Sequence, residues 1–293
     1  MRDDALGTHP EEACLMEPRS WLFVPADSER KIAKALGSEA DAIIFDLEDS
    51  VAPAMKSVAR DVLRSLLRRS GGPEWWVRIN PLGSEFIRDD LELIGLADVR
   101  GIVLPKAESG ADVTELAHRT GNIPIHAIVT ETAASLFGLL SYRQPGSPLA
   151  AMSWGAEDLS AALGASSKYD ADGALSFTYR LARSLCLAGA AAAGVQPVDG
   201  VFADFKDDKG LVAEAEAARR EGFTGKLAIH PAQVAIINAA FTPSAEDVRH
   251  AAEIVAAFEA QPDAGVLSVG GKMVDRPHLV QARRVLERSR QEA

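Results

Sequence analysis

Eight short runs of aromatic, β-branched and aliphatic residues recur along this chain, and most are separated by segments whose apolar residues return every three or four positions. The runs are SWLFVP (20–25), AIIFDLED (42–49), WWVRINP (75–81), GIVLPK (101–106), IPIHAIVTE (123–131), LAAMSWGAED (149–158), PVDGVFADF (197–205) and KLAIHP (226–231). Between them lie amphipathic stretches such as SERKIAKALG, KSVARDVLRSLLRRS, IRDDLELIGLADV and AEAEAARREG. Short apolar runs bounded by turn residues read as strands, and the three-four repeat reads as helix. Strands that alternate with helices imply parallel pairing through right-handed crossovers.

Polar residues collect where these strands end: Asp46, Glu48, Asp49, Arg78, Asn80, Lys106, Glu131, Glu157, Asp158, Asp204 and His230. That distribution is the one a TIM (β/α)8 barrel imposes, because its interior is filled by branched side chains and its chemistry sits on the loops after the strands. A doubly wound open sheet is the main competitor, but no strand is followed by GxGxxG or GxxxxGK[ST], the phosphate-binding turns of nucleotide folds. The expected organisation of the 293 residues is a mobile N-terminal leader over 1–18, a barrel over 19–241 and a C-terminal extension over 242–293. In the extension, TPSAEDVRHAAEIVAAFEAQ opens on a helix-capping signal, and GVLSVGGKMVDRPHLVQARRVLERS supplies a Gly-rich turn and a last helix. A segment appended to a completed barrel has few structural duties, so a lid or an oligomer contact is expected of it.

A net charge of −11 and a pI near 5.1 argue against nucleic acid or an anionic membrane as the main partner. Cys14 and Cys186 are too few and too far apart for a disulfide framework or a cysteine-based zinc site, so a reducing, cytoplasmic setting is expected. The leader MRDDALGTHPEEACLMEP has several acids and no apolar core, unlike a signal peptide. LARSLCLAGAAAAGVQP is the most apolar stretch, but Arg183 and its many small residues suit a packed helix better than a bilayer span.

Glu131 and Asp158 each stand just past an apolar run, where a barrel strand delivers side chains to the rim. Two carboxylates held together repel unless a cation or a shared proton compensates them, which suggests oxygen ligation of Mg²⁺ or Mn²⁺ more than of zinc. Acids after strands are also common N-terminal helix caps, and that alternative stands beside the first.

The chain resembles the citrate lyase β-subunit-like family of the HpcH/HpaI aldolase superfamily, most closely its citramalyl-CoA and malyl-CoA lyase branch. The likeness runs from about Arg19 to the last helix. It rests on RSWLFVPADSERKIAKA, FDLEDSVAPAMKSVAR, VRINP, VLPKAES, the acids Glu131 and Asp158, WGAEDLSAALGA, FADFKDDKGL, GFTGKLAIHP and GKMVDRPHL, in that order and spacing.

The resemblance implies that Glu131 and Asp158 ligate Mg²⁺ directly, with Asp46, Glu48 and Asp49 orienting its waters; Glu48 is also counted among the catalytic groups. It makes Arg78 the substrate arginine, able to fork onto a carboxylate or to stabilise an enolate oxygen, the alternative being an interstrand salt bridge. Phe23, Arg30 and Lys34 fall at coenzyme A-binding positions, and Ile229 and His230 line the thioester side. Arg30 and Lys34 share one helix face at a spacing of four. Asp275 would reach from one subunit's lid into a neighbour's barrel as acid or base; otherwise it caps the helix that begins at Arg276 or Pro277. Trp154 and residues 135–138 are expected to shape the oxo-acid pocket.

The implied reaction is reversible cleavage of a 3-hydroxy-3-carboxyacyl-CoA, such as citramalyl-CoA or malyl-CoA, into a 2-oxo acid and acetyl-CoA, by a homo-oligomer (trimer or hexamer). Three alternatives stay open: a malyl-CoA thioesterase, a metal-independent aldolase with Lys106 as Schiff base, and a non-catalytic CoA-ester-binding subunit. The acidic cluster weighs against the second, since it would keep a nearby ammonium protonated.

Overall fold

In the computed structural model, which describes residues 17–67, 73–96 and 98–291, the eight runs become β1 (Ser20–Pro25), β2 (Ala42–Asp46), β3 (Glu74–Arg78), β4 (Gly101–Leu104), β5 (Ile125–Val129), β6 (Leu149–Trp154), β7 (Gln196–Asp199) and β8 (Gly225–Ala228). Each pairs in parallel with the next, and β8 returns to β1 through Ser20↔Lys226, Trp21↔Leu227 and Leu22↔Ala228. The result is the closed eight-stranded barrel expected from the sequence. Residues 1–16 of the expected leader, Cys14 among them, lie outside the described residues.

The two-residue period of the strands sorts their side chains into two layers. Trp21, Ala42, Ile44, Trp76, Val103, Ile128, Ala151, Val198 and Leu227 form the inner one. Their sequence neighbours, including Leu22, Ile43, Phe45, Val77, Leu104, Ala127, Met152 and Trp154, pack outward against the helices. The barrel floor is plugged by rings. Trp21 and Trp76 lie 4.9 Å apart, and the His126 ring meets Trp21 edge-on at 4.6 Å. His126 Nε2 contacts Ser153 Oγ at 2.9 Å, and complete burial pushes its pKa down to about 3, so this imidazole is neutral.

Every strand but the first is shorter at its C-terminal end than the run that foretold it, and the reason is visible at each rim. Asp46 turns its carboxylate back to accept from the amides of Glu48 (2.8 Å) and Ser50 (3.1 Å), which bends the chain out of the ladder. Lys106 (φ 51°) and Thr130 (φ 65°) adopt left-handed backbone after β4 and β5. The chemistry-bearing residues beyond these points therefore sit on loops, held by specific contacts and not by strand pairing.

The helix Ala156–Leu163 follows β6, an excursion closed by a Tyr169↔Leu175 bridge comes next, and a second helix, Phe177–Ala193, leads to β7. The second helix contains the Ala-rich stretch and buries Ala182, Cys186 and Ala190. Among the described residues no helix is long and apolar enough to cross a membrane.

The chain divides into two compact units, one comprising Pro18–Phe241 and the other containing Thr242–Ala293. In the second unit Ser244 and Asp247 form a reciprocal capping box at the start of the helix Ala245–Ala260. The expected Gly-rich turn proves to be a hairpin, with β9 (Val266–Val269) and β10 (Lys272–Asp275) joined at Gly270 and Gly271. Both glycines have positive φ (59° and 77°), the backbone that a two-residue hairpin turn needs. The last helix, Arg276–Gln291, closes a small core of Ala251, Ile254, Phe258, Val269, Val274, Leu279 and Ala282.

Candidate active site

The β2 and β3 ends meet in register at Asp46 and Arg78. Arg78 Nε donates to Asp46 Oδ1 at 2.7 Å and Nη2 donates to Oδ2 at 2.6 Å, while Nη1 lies 2.9 Å from Glu48 Oε2. The Phe23 ring stacks beneath the guanidinium at 4.7 Å. The interstrand salt bridge considered from sequence is thus formed. Asp46, expected to orient metal-bound waters, has both oxygens committed to Arg78 and to backbone amides; its duty in this structure is to fix the arginine. Burial alone would raise the Asp46 carboxyl, but Arg78 outweighs it and holds the group below its ordinary value.

The loop that bears Glu48 and Asp49 is pinned from behind. Lys56 Nζ donates to the carbonyls of Leu47 (2.8 Å) and Glu48 (3.0 Å), and Asn80 Nδ2 donates to Leu47 O (3.0 Å) and to Asp90 Oδ2 (2.7 Å). Arg60 closes this layer on Asp90 at 2.8 Å. Lys56, Arg60 and Asp90 escaped the sequence reading because nothing in their spacing separates them from ordinary helix-face charges.

Lys106 stands at the centre of the acids. Its Nζ contacts Glu48, lies 3.0 Å from Asp49 Oδ2 and lies 3.3 Å from Asp158 Oδ1. Its backbone N–H donates to Glu131 Oε2 at 2.5 Å. Burial would lower this ammonium, but Glu48, Asp49 and Asp158 outweigh it and raise its pKa above the ordinary lysine range. A neutral, nucleophilic amine is therefore disfavoured here, which weighs against a Schiff-base role.

Neither Glu131 nor Asp158 caps a helix through a side-chain bond. Asp158 lies in the first turn of Ala156–Leu163, where the helix end favours negative charge, and faces Lys106. Glu131 is 4 % exposed, and burial first, then the neighbouring charges of Asp158 and Glu48, push its pKa up to about 8. Gly155, the residue before that helix, is what makes room for it: a Cβ there would stand 2.7 Å from Glu131 Cγ. The left-handed conformations of Lys106 and Thr130, on either side of this contact, cost roughly 1–3 kcal/mol each and persist because the surroundings enforce them.

These carboxylates suit a hard divalent cation. Burial and the neighbouring carboxylates hold Glu131 above its ordinary range, which a cation would relieve; oxygen donors predominate, and Glu48 and Asp158 already face one ammonium. Among the described residues no three His, Cys, Asp or Glu side chains group closely enough to hold an ion by themselves, so water or substrate would supply the remaining positions.

A cleft of about 290 Å³ opens beside β1. It is lined by Phe23, Pro25, Arg30, Lys31, Lys34, Ile229, His230 and Pro231, among others. All five residues expected at coenzyme A-binding positions thus share one cavity, with Lys31 as an addition. His230 stacks on Phe205 at 4.9 Å, and the amides of Ile229 and His230 donate to Gln233 Oε1 at 2.9 and 3.2 Å, fixing this wall.

Trp154 corrects an expectation. Its ring lies in the layer between barrel and helices, and Nε1 donates to the buried Asp199 at 2.8 Å. Asp199 also accepts from Arg183 (2.7 Å) and Lys226 (2.8 Å), a network that ties β6, β7 and β8 together from outside. The cause is strand alternation: Ser153 faces inward to His126, so Trp154 must face outward. Within residues 135–138, Ser135 is buried and bonded to Thr132, and Phe137 is almost fully exposed.

In the second unit, Asp275 Oδ1 lies 2.5 Å from His278 Nδ1 at the start of the last helix. That hydrogen bond holds the exposed carboxyl below its ordinary value.

The family profile described as HpcH/HpaI aldolase/citrate lyase matches residues 19–231. A (3S)-malyl-CoA thioesterase from Cereibacter sphaeroides is 39 % identical over 277 residues, which cover 92 % of this chain and 94 % of that one. The mitochondrial citramalyl-CoA lyase of Rattus norvegicus is 34 % identical over 294 residues, covering 92 % and 85 %. Among solved structures, the CitE protein of Mycobacterium tuberculosis in complex with magnesium, acetoacetate and coenzyme A matches with a TM-score of 0.79 and 38 % identity, over 94 % of this chain and 98 % of that one.

Proposed function

Because this chain belongs to the HpcH/HpaI aldolase/citrate lyase family, we propose that it is a Mg²⁺-dependent lyase that cleaves a 3-hydroxy-3-carboxyacyl-CoA, of the citramalyl-CoA or malyl-CoA type, to a 2-oxo acid and acetyl-CoA. The observation that carries this reading is the gathering of four carboxylates around Lys106, with Glu48, Asp49 and Asp158 on its ammonium and Glu131 on its backbone N–H, beside a fixed arginine. The cleft lined by Phe23, Arg30, Lys34, Ile229 and His230 supports a thioester carrier.

Glu131 and Asp158 would hold the ion, and Mn²⁺ would be an acceptable substitute. When bound, Mg²⁺ supplies a positive centre that orients the substrate's hydroxyl and carboxylate and makes the hydroxyl more acidic. Glu48 would take the hydroxyl proton, and the C–C bond then breaks; its electrons pass to the thioester fragment as an enolate, and the alcohol carbon becomes the carbonyl of the oxo acid. Arg78, immobilised by Asp46, faces the developing negative charge without reorganising, which is where preorganised donors help most. Glu48, whose pKa burial raises, links Arg78 and Lys106 and is able to exchange a proton at the rim. Asp275 of a second subunit would take up a proton from water at the barrel mouth and pass it to the enolate carbon, completing acetyl-CoA. The working unit is therefore a homo-oligomer, trimer or hexamer, in the cytoplasm.

Arg30 and Lys34, one turn apart on the helix Glu29–Leu36, hold phosphates of the carrier, while Phe23 and Ile229 give it apolar surface. The choice between citramalyl and malyl substrates turns on one methyl group, worth about 1–3 kcal/mol in such a pocket.

A second reading, hydrolysis of malyl-CoA at its thioester, is favoured by the 39 % identity to a protein of that activity. Incubation with Mg²⁺ and a panel of hydroxyacyl-CoA thioesters, with products resolved by mass, separates the two. Acetyl-CoA with a 2-oxo acid supports the lyase, free CoA with intact malate supports the thioesterase, and no turnover of any panel member defeats both.

A further inference from the structure

Lys106 has a place in this site that neither ligation nor carrier binding accounts for. Its backbone N–H holds Glu131 Oε2 at 2.5 Å, while its ammonium gathers Glu48, Asp49 (3.0 Å) and Asp158 (3.3 Å) from two other loops. The residue therefore holds both expected metal ligands at once, one through the main chain and one through the side chain. Its left-handed backbone (φ 51°) is what allows the two grips to point at the same cluster. A divalent ion that took the same Asp158 oxygen at about 2.1 Å would lie against the ammonium already there. Two positive centres in contact on one oxygen repel strongly, and a lysine on its four-carbon stem can withdraw at little cost. The main-chain bond to Glu131 need not move.

We propose that Lys106 is the resident counter-cation of the metal site: a positioning residue whose ammonium keeps Glu48, Asp49 and Asp158 gathered in the metal-free protein and leaves when the divalent ion enters. This rests on the metal reading given above. Metal uptake is then an exchange of one cation for another, and the cluster never collapses by mutual repulsion of its acids.

The test is Mn²⁺ titration of the full chain, followed by calorimetry or by the spin-resonance signal of free Mn²⁺, for wild type, Lys106→Met and Lys106→Gln. Loss of the competing ammonium should tighten Mn²⁺ binding about 10-fold or more in both variants. A separate readout distinguishes displacement from a general change of field. Acetylation of Lys106 by an amine-reactive ester, mapped by mass spectrometry in the wild type, should be slow without Mn²⁺ and several-fold faster at saturation. Equal or weaker Mn²⁺ binding by the variants, or acetylation that Mn²⁺ leaves unchanged or slows, overturns the proposal while the metal site stands. A wild type that takes up no Mn²⁺ overturns the metal reading and this proposal together.

Discussion

The Arg78 guanidinium forks onto the Asp46 carboxylate, Nε to Oδ1 at 2.7 Å and Nη2 to Oδ2 at 2.6 Å, across a register pair of β2 and β3. Asp46 is buried, at 1 % exposure, and the Arg78 side chain is largely covered, at 13 %. Removing one charge of such a pair leaves the other uncompensated, so Asp46→Asn should cost about 3–5 kcal/mol of stability and loosen the arginine. The folded-state pKa of Asp46 lies below the ordinary 3.8, so its contribution is present above that value and lost as pH falls below it. Denaturant unfolding of wild type and variant across pH 2.5–7 checks this: the two curves should converge only at the acid end.

Glu131 has the opposite sign. Its folded-state pKa of about 8 exceeds the ordinary 4.5, so the folded chain keeps a proton that the unfolded chain releases. Metal-free protein should therefore lose stability as pH rises from about 4.5 to 8, by an amount of order a few kcal/mol. Glu131→Gln should flatten that slope, and added Mg²⁺ should raise the melting temperature more at high pH than at low. Thermal melts with EDTA or Mg²⁺ measure all three effects.

Gly155→Ala tests the geometry without touching a charge. The backbone there (φ −121°, ψ 121°) suits alanine, but the new Cβ would stand 2.7 Å from Glu131 Cγ and 3.0 Å from Oε1. Glu131 must move aside, and a displaced ligand should weaken Mg²⁺ binding about 10- to 100-fold, the range seen when a metal ligand loses its support. Circular dichroism should show the fold retained, and calorimetry the lost affinity.

The cleft beside β1 makes a separable prediction. Arg30→Ala and Lys34→Ala each remove a charged donor whose hydrogen bond to a phosphate contributes roughly 1.5–3 kcal/mol, or about tenfold and upward in affinity. KM for the CoA thioester should rise accordingly while kcat changes little. A matched fall in kcat would move these residues from carrier binding to chemistry.

Asp275→Asn should lower turnover about 10²- to 10⁴-fold, the usual contribution of a general acid, with oxo-acid binding retained. If the carboxyl serves a neighbour's barrel, mixing Asp275→Asn subunits with Glu131→Gln subunits should restore part of the activity that each lacks alone. Absence of rescue, with hybrid assembly verified, would remove the exchange between subunits.

The barrel was legible because eight apolar runs and their intervening amphipathic segments need no tertiary information to be seen. Glu131, Asp158 and the five cleft residues were singled out through motif order; in the structure the five line one cleft, and Glu131 and Asp158 both contact Lys106. Trp154 was misread because a strand's inward and outward faces differ by one residue, and only the Ser153–His126 contact fixes which is which. The fork of Asp46 onto Arg78 was not legible, because a carboxylate's partners are set by the neighbouring strand's register. The hairpin at Gly270–Gly271 was readable, since paired glycines between short apolar runs are a turn signal. That acids would surround Lys106 and weigh against a nucleophilic role was legible from the sequence, but which three side chains meet its ammonium was not, because loop conformation sets those contacts.

The most direct measurement is anomalous diffraction from a crystal grown with Mn²⁺ and pyruvate. The expected result is one metal peak between the Glu131 and Asp158 carboxylates, contacted by the oxo acid and by water. Those two carboxylates turned away from each other, with no metal peak between them at saturating Mn²⁺, would contradict the central claim.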